Sequence, residues 1–214
     1  MSSLIVVGVG SGIGTSVARR FAREGVAVGV VARSRSTVDA VLAEVPGALG
    51  VTADATDEPG LRAALDELTG TLGTPDTVVY NAAIIRSDGI GDLSAAEHLD
   101  SYAVNVVGAV TTAAHLLPAM AARGSGTFVV TGGMPSPDPG LVSLSLGKVG
   151  VRGLVSLLDA QYAASGVRSA TVTVCGPVAP GTTFDPDQIA EHYWRLATTP
   201  LGAWSTEVVY AGTT

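Results

Sequence analysis

Short apolar runs alternate with amphipathic stretches along this chain. The first run, residues 4–7, ends at a glycine, and Ile13, Val17 and Phe21 then recur at four-residue spacing. This spacing places the three side chains on one face of a helix. The next run, residues 26–31, carries no polar side chain, as expected of a strand whose two faces are both covered by helices. The chain is therefore predicted to begin with a strand, a loop, a helix and a second, fully buried strand.

The same alternation continues to the C-terminus. Strands are predicted at 4–7, 26–31, 48–53, 77–80, 127–131, 170–175 and 207–210. Helices are predicted from Ile13 up to Gly25 and near 38–44, 58–68, 94–122, 143–164 and 188–196, with Thr56 or Asp57 capping the third and Asp185 the last. This order predicts an α/β fold, a doubly wound, mainly parallel sheet of seven strands with helices on both faces.

Composition favours one folded domain that binds a small molecule. The 214 residues are 47% hydrophobic and 14% charged and contain no evident linker or low-complexity tract, so residues 1–214 are interpreted as a single domain. A net charge of −7 argues against a nucleic-acid partner, because phosphates require a basic face. The apolar runs are short for a membrane span, and the N-terminus lacks the basic flank of a signal peptide, so we expect a soluble, cytoplasmic protein. The lone Cys175 is expected to be buried and inert.

A glycine-rich loop follows the first predicted strand. It reads Gly8-Val9-Gly10-Ser11-Gly12-Ile13-Gly14, which fits G-x-x-x-G-x-G and not G-x-G-x-x-G. Glycines allow positive φ and a close backbone approach, and the N-terminus of the following helix offers free N–H groups to phosphate oxygens. The alternative is an ordinary tight turn in a chain with 27 glycines. The strand before the loop and the helix after it favour the diphosphate of a dinucleotide cofactor.

Together with this loop, three later positions resemble the short-chain dehydrogenase/reductase family. The glycine spacing is the family's, which usually has threonine where this chain has Val7. Asp54 resembles the adenine-contacting aspartate, Asn81-Ala82-Ala83 resembles the Asn-Asn-Ala-Gly motif, and Asn105 matches the asparagine in the middle of the fourth helix. The resemblance covers nearly all of the chain. It implies a Rossmann-type fold, a homodimer or homotetramer, and a short substrate-side segment near 176–205.

The end of the second predicted strand bears on which cofactor is bound. An acidic residue about 20 positions past the glycines would bind the ribose diol of NAD. This chain instead has Arg33-Ser34-Arg35, whose guanidinium groups suit a 2′-phosphate. The alternative is a solvated arginine in a loop. We therefore predict NADP(H) as the cofactor.

The loop, the second strand end and the resemblance together give a candidate set of cofactor-binding residues. The set is Gly8, Gly10, Ser11, Gly12, Ile13, Gly14, Arg33, Ser34, Asp54, Ala55, Asn81, Ala82, Lys148, Pro177 and Thr182. No metal is predicted, because the three histidines lack ligand spacing.

The catalytic positions depart from the family pattern. Family members use a Tyr-x-x-x-Lys pair with a serine that polarises the carbonyl. Counting back from Lys148 places Leu144 at the tyrosine position and Thr131 at the serine position. Lys148 is the only lysine beside eleven arginines, and arginine does not offer the same compact, titratable ammonium. The resemblance therefore makes Lys148, Thr131 and Asn105 catalytic candidates, in a chain whose usual proton donor is replaced.

Other groups are candidates for the missing role. Ser145 lies three residues before Lys148, and Ser-Leu-Gly-Lys formally matches the Ser-x-x-Lys of some acyl-transfer enzymes, although the motif is short. Tyr102 and Tyr193 are alternatives, yet tyrosines at such positions are more often core residues. The proline-rich stretch 134–140 is predicted to be a loop that lines the site.

Three functions remain open on the sequence. The leading hypothesis is an NADP(H)-dependent oxidoreductase acting on a small carbonyl or alcohol, in which a substrate or water held by Asn105, Thr131 and Lys148 supplies the proton. The second is a non-redox isomerase, lyase or cyclase on the same scaffold, which the missing tyrosine favours. The third is a catalytically silent NADP(H)-binding protein.

Overall fold

A parallel sheet forms the centre of the protein. The structure, a computed structural model, describes residues 2–200 and 204–212, and within them the sheet has seven strands. They are β1 (Ser3–Val7), β2 (Ala27–Ala32), β3 (Leu49–Thr52), β4 (Thr77–Tyr80), β5 (Gly126–Thr131), β6 (Val167–Val174) and β7 (Glu207–Tyr210). All neighbouring strands pair in parallel, in the order β3-β2-β1-β4-β5-β6-β7. The predicted fold class is confirmed.

Helices connect the strands. They are α1 (Ile13–Ala22), α2 (Arg35–Glu44), α3 (Glu58–Leu72), α4 (Ala95–Tyr102), α5 (Gly108–Arg123), α6 (Val142–Tyr162) and α7 (Pro186–Thr198). A π-helical turn (Ala103–Val107) joins α4 to α5, and a 3₁₀ turn (Ala163–Ser165) follows α6.

Apolar side chains of the strands alternate between two cores. Leu4 and Val6 belong to a core shared with α1, α2 and α7, whereas Ile5 and Val7 belong to one shared with α3, α5 and α6. Successive side chains of a strand point to opposite sheet faces. Because both faces are covered, the strands are apolar at nearly every position, which is the pattern seen in the sequence.

The order of the strands places a crevice between β1 and β4. The chain adds β2 and β3 on one side of β1 and then crosses back to continue from β4 on the other side. Ligands of doubly wound sheets bind beyond the carboxyl ends of the strands where the order reverses. The glycine loop follows β1 and Asn81 follows β4, so both lie at this point.

Two local predictions need correction. The helix predicted at 94–122 is interrupted, because the turn at Ala103–Val107 is wider than an α-helical turn. Asp57 stands at the start of α3, but its side chain caps nothing. Asp54 instead accepts hydrogen bonds from both the N–H and the hydroxyl of Thr56 at 2.8 Å.

The helical stretch Ala95–Arg123 is long and apolar enough, by length and composition alone, to cross a membrane. Its most apolar window is 56% buried inside the protein, in the manner of a core helix. Leu116, Leu117 and Met120 show the reason, since all three pack into the core shared with α3 and α6.

Candidate active site

A large cleft opens at the carboxyl ends of the central strands. Its volume is about 1420 Å³, above the range of about 300–1,000 Å³ typical of a site for one drug-sized ligand. Its walls come from the glycine loop, the ends of β2 and β3, the segments after β4, β5 and β6, and the first turns of α6. The cleft is therefore large enough for an extended cofactor together with a small substrate.

The glycines of the loop serve two different purposes. Gly8 has φ of +90°, and a Cβ there would overlap the backbone nitrogen of Ala82. At Gly14 a Cβ would lie 2.9 Å from the carbonyl oxygen of Gly8, so this glycine lets α1 pack closely on the loop. Gly10 and Gly12 meet nothing within 4 Å and line the cleft. The first and last glycines thus serve the chain's own packing, whereas Gly10 and Gly12 leave the backbone accessible from the cleft.

The N-terminus of α1 faces the cleft without a cap. Gly12 occupies the N-cap position and has no side chain to accept from the first N–H groups of the helix. Ser11 and Ile13 line the cleft beside it. Uncapped N–H groups and the helix dipole make such a terminus a site for an anion.

Asn81 fixes the loop to the neighbouring strand. Its Nδ2 donates to the carbonyl oxygen of Gly8 at 2.7 Å, and its backbone N–H donates to Val7 at 2.8 Å. Asn81 and Ala82 both line the cleft. The asparagine is thus used to shape the loop, and it holds β1 and β4 together where the crevice opens.

Polar residues surround the end of the cleft beyond β2. Arg33 is exposed and lines the cleft, as do Ser34, Asp54 and Ala55. Ser34 caps α2 by accepting from the N–H of Thr37 at 3.2 Å. Hydrogen bonds from the backbone and hydroxyl of Thr56, with a smaller contribution from the Arg33 charge, lower the pKa of Asp54. This end therefore presents a guanidinium and an ionised carboxylate side by side.

Arg35 differs from Arg33 in its surroundings. Its guanidinium pairs with Asp39 one turn along α2 at 2.7 Å and stands outside the set of residues that line the cleft. Of the two arginines considered for a 2′-phosphate, the structure therefore brings Arg33 to the cleft and leaves Arg35 on the helix surface.

Lys148 reaches the opposite end of the cleft from α6. Its Nζ donates to the carbonyl oxygen of Thr131 at 2.7 Å, and the residue is only 8% exposed. Burial lowers the pKa of this amine to about 8, with a further contribution from the charge of Arg152. Lys148 is thus a buried amine whose pKa lies well below that of a free lysine.

Leu144 occupies the wall of the cleft one helical turn before Lys148. It is 6% exposed and contributes hydrocarbon where the family pattern would have a phenol. Residues four apart on a helix lie on the same face. The structure therefore places the substituted position beside the lysine, as the spacing predicts.

The hydroxyl of Thr131 belongs to a buried chain of hydrogen bonds. Asn81 orients its Nδ2 toward Gly8, so its Oδ1 accepts the proton of Thr131 at 2.7 Å. The hydroxyl of Tyr193 lies 2.7 Å from Thr131 on the other side. Because Thr131 has one proton and gives it to Asn81, Tyr193 must be the donor to Thr131. Thr131 lines the cleft, but its proton is already donated to Asn81.

Asn105 lies in the π-helical turn and has both amide atoms paired. Its Oδ1 accepts from the N–H of Ile84 at 2.7 Å, and its Nδ2 donates to the carbonyl of the same residue at 3.3 Å. It is 4% exposed and stands behind the lining residues. The side chain therefore holds the segment after β4 in place. The predicted direct role in holding a substrate or water has no support in this geometry.

Two further candidates lie outside the cleft lining. Ser145 accepts a hydrogen bond from the N–H of Asp138 at 3.0 Å, so its hydroxyl supports the proline-rich loop. Thr182 donates to the carbonyl of Ala179 at 2.8 Å within its own turn. Pro177 does line the cleft, and so does Cys175, which lies just past β6 and is only partly buried, contrary to expectation. Residues 201–203 of the substrate-side segment lie outside the described residues.

Sequence reasoning missed Asp88, which fastens the segment after β4 to the start of α6. Its carboxylate accepts from the N–H of Ser143 at 2.9 Å and from the hydroxyl of Ser143 at 3.0 Å. The backbone of Asp88 also pairs with Gly140 and Val142 at 3.0 Å. No motif marks this position, since the contact joins residues 55 apart. Asp88 therefore sets where α6 begins and hence where Leu144 and Lys148 lie.

Replacing Asp88 with alanine is expected to lower the free energy of unfolding by about 2 kcal/mol, because hydrogen bonds to a charged group contribute roughly 1.5–3 kcal/mol. Urea denaturation would measure the loss. Asp92→Ala is the matched control, since Asp92 accepts one N–H, from Gly89, on the exposed side of the same loop. Equal losses in the two variants would contradict a special role for Asp88.

Arg152 was also missed, one turn beyond Lys148 on α6. Its guanidinium donates to the carbonyl oxygens of Gly133 at 2.9 Å and Met134 at 3.2 Å. Met134 has φ of +50°, a conformation that side chains rarely adopt. Arg152 therefore ties the loop after β5 to the helix that carries Lys148. The four-residue spacing between Lys148 and Arg152 was the only signal in the sequence that could have identified this residue.

The fold and the cleft agree with the comparisons with known proteins. The sequence matches the short chain dehydrogenase family over residues 2–188. The chain therefore belongs to the short-chain dehydrogenase family, a family of oxidoreductases. A metagenomic short-chain oxidoreductase in complex with NADP has the same fold, with a TM-score of 0.88 at 24% identity over 100% of this chain and 97% of that one.

Two relatives extend this similarity to the sequence. The chain is 32% identical over 188 residues to the uncharacterized oxidoreductase YvrD of Bacillus subtilis, which covers 85% of this chain and 68% of YvrD. It is 32% identical over 176 residues to the oxidoreductase UcpA of Salmonella typhimurium, covering 77% of this chain and 65% of UcpA. The chain thus spans about two thirds of the length of these relatives.

Proposed function

We propose that this protein is an NADP(H)-dependent oxidoreductase acting on a small-molecule carbonyl or alcohol, with an altered proton donor. The observation that carries the proposal is the position of Arg33. Its guanidinium lines the cleft directly after β2, where an NAD-binding site would carry a carboxylate. Arginine is well suited to a phosphate group because it offers several donors in one plane.

The rest of the cleft fits such a cofactor. Gly10 and Gly12 leave open space above the backbone, and the uncapped N-terminus of α1 offers N–H groups for a diphosphate. Asp54 and Ala55 would lie along the adenine half, and Lys148 and Pro177 along the nicotinamide half. When bound, the cofactor would supply or accept the hydride. A solved relative of this fold is in complex with NADP, which supports the same choice of cofactor.

The substrate half of the cleft favours a small apolar molecule. Ile84, Ile85, Met134, Leu141 and Leu144 contribute hydrocarbon to its walls. Apolar walls with few polar groups are typical of sites that orient a small organic ligand. This supports a carbonyl or alcohol without an extended charged group.

We also propose that the protein acts in the cytoplasm as a homodimer or homotetramer. Support comes from large apolar side chains exposed on the outer faces of α5 and α6. Val110 is 43% exposed, Leu146 55%, Val149 49% and Leu157 70%. Apolar surface of this kind is common where subunits associate.

The test of the cofactor is Arg33→Ala. This variant is expected to bind NADPH at least tenfold more weakly and NADH almost unchanged, because a charge-assisted bidentate contact to the 2′-phosphate would be lost and a contribution of about 1.4 kcal/mol is a factor of ten. Titration calorimetry with both cofactors measures the two affinities. Arg35→Ala is the matched control, since Arg35 pairs with Asp39 outside the cleft. Equal losses for NADPH and NADH would overturn the assignment.

Leu144 favours a second candidate, a non-redox isomerase, lyase or cyclase on the same scaffold. A hydrocarbon wall beside Lys148 provides no phenolic acid for the usual ketoreduction. The two candidates differ in how they use the cofactor. Turnover of a substrate with NADP(H) neither present nor consumed would favour the second, whereas oxidation of NADPH with a carbonyl favours the first.

A further inference from the structure

The polar groups expected near the reacting atoms already donate their protons to other atoms. Thr131 donates to Asn81, Tyr193 donates to Thr131, and the amide of Asn105 is paired at both ends with the backbone of Ile84. Each of these hydrogen bonds is at least partly buried. Protonating a substrate from any of these side chains would leave a buried acceptor unpaired, which is unfavourable.

Lys148 differs from these groups in having donors to spare. A protonated amine carries three N–H bonds, and one of them is directed to the carbonyl of Thr131 at 2.7 Å. Within residues 2–200 and 204–212, its Nζ forms no second hydrogen bond, although the side chain lines the cleft. Leu144 beside it offers no competing acid.

We infer that Lys148 is itself the proton donor of the reduction, in place of the missing phenol, and the proton acceptor of the reverse oxidation. In reduction, the carbonyl carbon would receive the hydride that NADPH supplies when bound, and the π electrons of the carbonyl would move to its oxygen. An Nζ–H bond of Lys148 would break as the new O–H bond forms, which would leave an alcohol, NADP⁺ and a neutral amine. Solvent then returns a proton to Nζ. This inference rests on the proposed function.

The surroundings of Lys148 are consistent with this role. Burial and the nearby charge of Arg152 on the same helix bring the pKa of the amine to about 8, so that both forms are populated near neutral pH. Asp138 and Cys175 are the other titratable groups on the walls of this half of the cleft. Tyr193 approaches from α7, but burial raises the pKa of its phenol, which therefore stays neutral.

The single lysine allows the amine to be observed directly. Protein grown with ¹³C-labelled lysine gives one side-chain resonance, since Lys148 is the only lysine. We expect a titration midpoint of about 8, compared with about 10.4 for a lysine in an unfolded chain. This measurement needs neither cofactor nor substrate.

Kinetics of the complete protein supply the second measurement. The rate of NADPH oxidation with the best substrate from a panel of small aldehydes and ketones is expected to fall as pH rises through about 8, and the rate of alcohol oxidation is expected to rise. Lys148→Arg keeps the charge but does not deprotonate in this range. The rate of this variant is expected not to change with pH in this range, and its kcat is expected to be about 10²- to 10⁴-fold lower. NADPH binding, followed by fluorescence, is expected to remain measurable.

The outcomes separate the inference from the proposed function. Failure of the wild-type protein to bind NADPH, or to oxidise it with any carbonyl, would overturn both. Two results would overturn the inference alone in a protein that does oxidise NADPH. One is an NMR titration midpoint of Lys148 near 10, and the other is a Lys148→Arg variant in which the rate of NADPH oxidation still falls through the same pH range. Ser136 and Cys175 also line the cleft and carry a proton. If the pH dependence of NADPH oxidation disappeared in Ser136→Ala or Cys175→Ala but not in Lys148→Arg, the proton donor would be that residue and not Lys148.

Discussion

Replacing Gly8 with alanine is expected to destabilise the protein by about 3 kcal/mol or more, since overpacking typically costs about 1–3 kcal/mol and a positive φ adds about 1–2 kcal/mol for a residue with a Cβ. The new methyl group would overlap the backbone of Ala82 at the junction of β1 and β4. Backbone atoms of two central strands cannot move apart without disturbing the sheet. Urea denaturation measures the loss.

Gly25→Ala is the matched control for backbone strain. Gly25 also has a positive φ, +77°, but nothing lies within 4 Å of the position of its Cβ. It is expected to lose only about 1 kcal/mol, from strain alone. Similar losses in Gly8→Ala and Gly25→Ala would show that strain dominates and that close packing against Ala82 is unimportant.

Gly12→Ala is expected to behave in the opposite way. Its Cβ meets nothing within 4 Å, so stability should change little. The same Cβ would project into the region where the diphosphate is proposed to approach, and a misfit of about 1–3 kcal/mol corresponds to roughly ten- to hundredfold weaker NADPH binding. A stable variant with unchanged NADPH affinity would contradict the proposed use of the loop.

The sequence predicted the sheet, and it predicted which residues meet at the proposed cofactor half of the cleft, because both depend on local pattern. Apolar runs, helical spacing and turn glycines are properties of neighbouring residues, and the alternation of strand and helix then determines a parallel sheet. Gly8 and Asn81 each directly follow a predicted strand, and Arg33 lies two residues after one. Since parallel strands end at the same edge of a sheet, the predicted parallel sheet already placed these three residues at that edge.

The proposed catalytic half of the cleft was less predictable, because the hydrogen bonds there join residues that are far apart in the sequence. Thr131 was correctly placed at the cleft, yet its proton is directed by Asn81 and Tyr193, which lie 50 and 62 residues away. Asn105 was predicted on a regular helix, but the π-helical turn and the backbone of Ile84 decide where its amide points. Spacing places a side chain on a face. Its hydrogen-bond partner is decided by tertiary packing.

Ser145 shows the same limit. Its spacing from Lys148 is compatible with a shared helix face, but α6 begins against the proline-rich loop, and the N–H of Asp138 donates to this hydroxyl. The serine of the motif Ser-Leu-Gly-Lys therefore stabilises the loop, and its hydroxyl is not placed as a nucleophile would be. For Leu144 the spacing was sufficient. Counting four residues back from Lys148 predicted that Leu144 lies beside the lysine, and Leu144 does line the cleft.

Leu144→Tyr is expected to raise NADPH-dependent carbonyl reduction by about 10²-fold at pH above about 8, where Lys148 has lost the proton that it is proposed to donate, since a positioned general acid typically contributes 10²–10⁴-fold. The new phenol would project from the wall of the cleft one turn from Lys148, whose positive charge favours loss of a proton from a neighbouring phenol. The cleft offers room for a ring larger than the leucine it replaces. Initial rates of NADPH consumption with a fixed panel of ketones measure the gain.

Leu144→Phe is the matched control for this gain, because it adds the same ring without the hydroxyl. If reduction is limited by proton donation, only the phenol raises kcat, and the ring alone changes KM by altering the shape of the apolar wall. Equal rates in the two variants would mean that proton donation does not limit the reaction. In that case the hydrocarbon at Leu144 would serve substrate fit, and Lys148 would already provide all the acid that the chemistry requires.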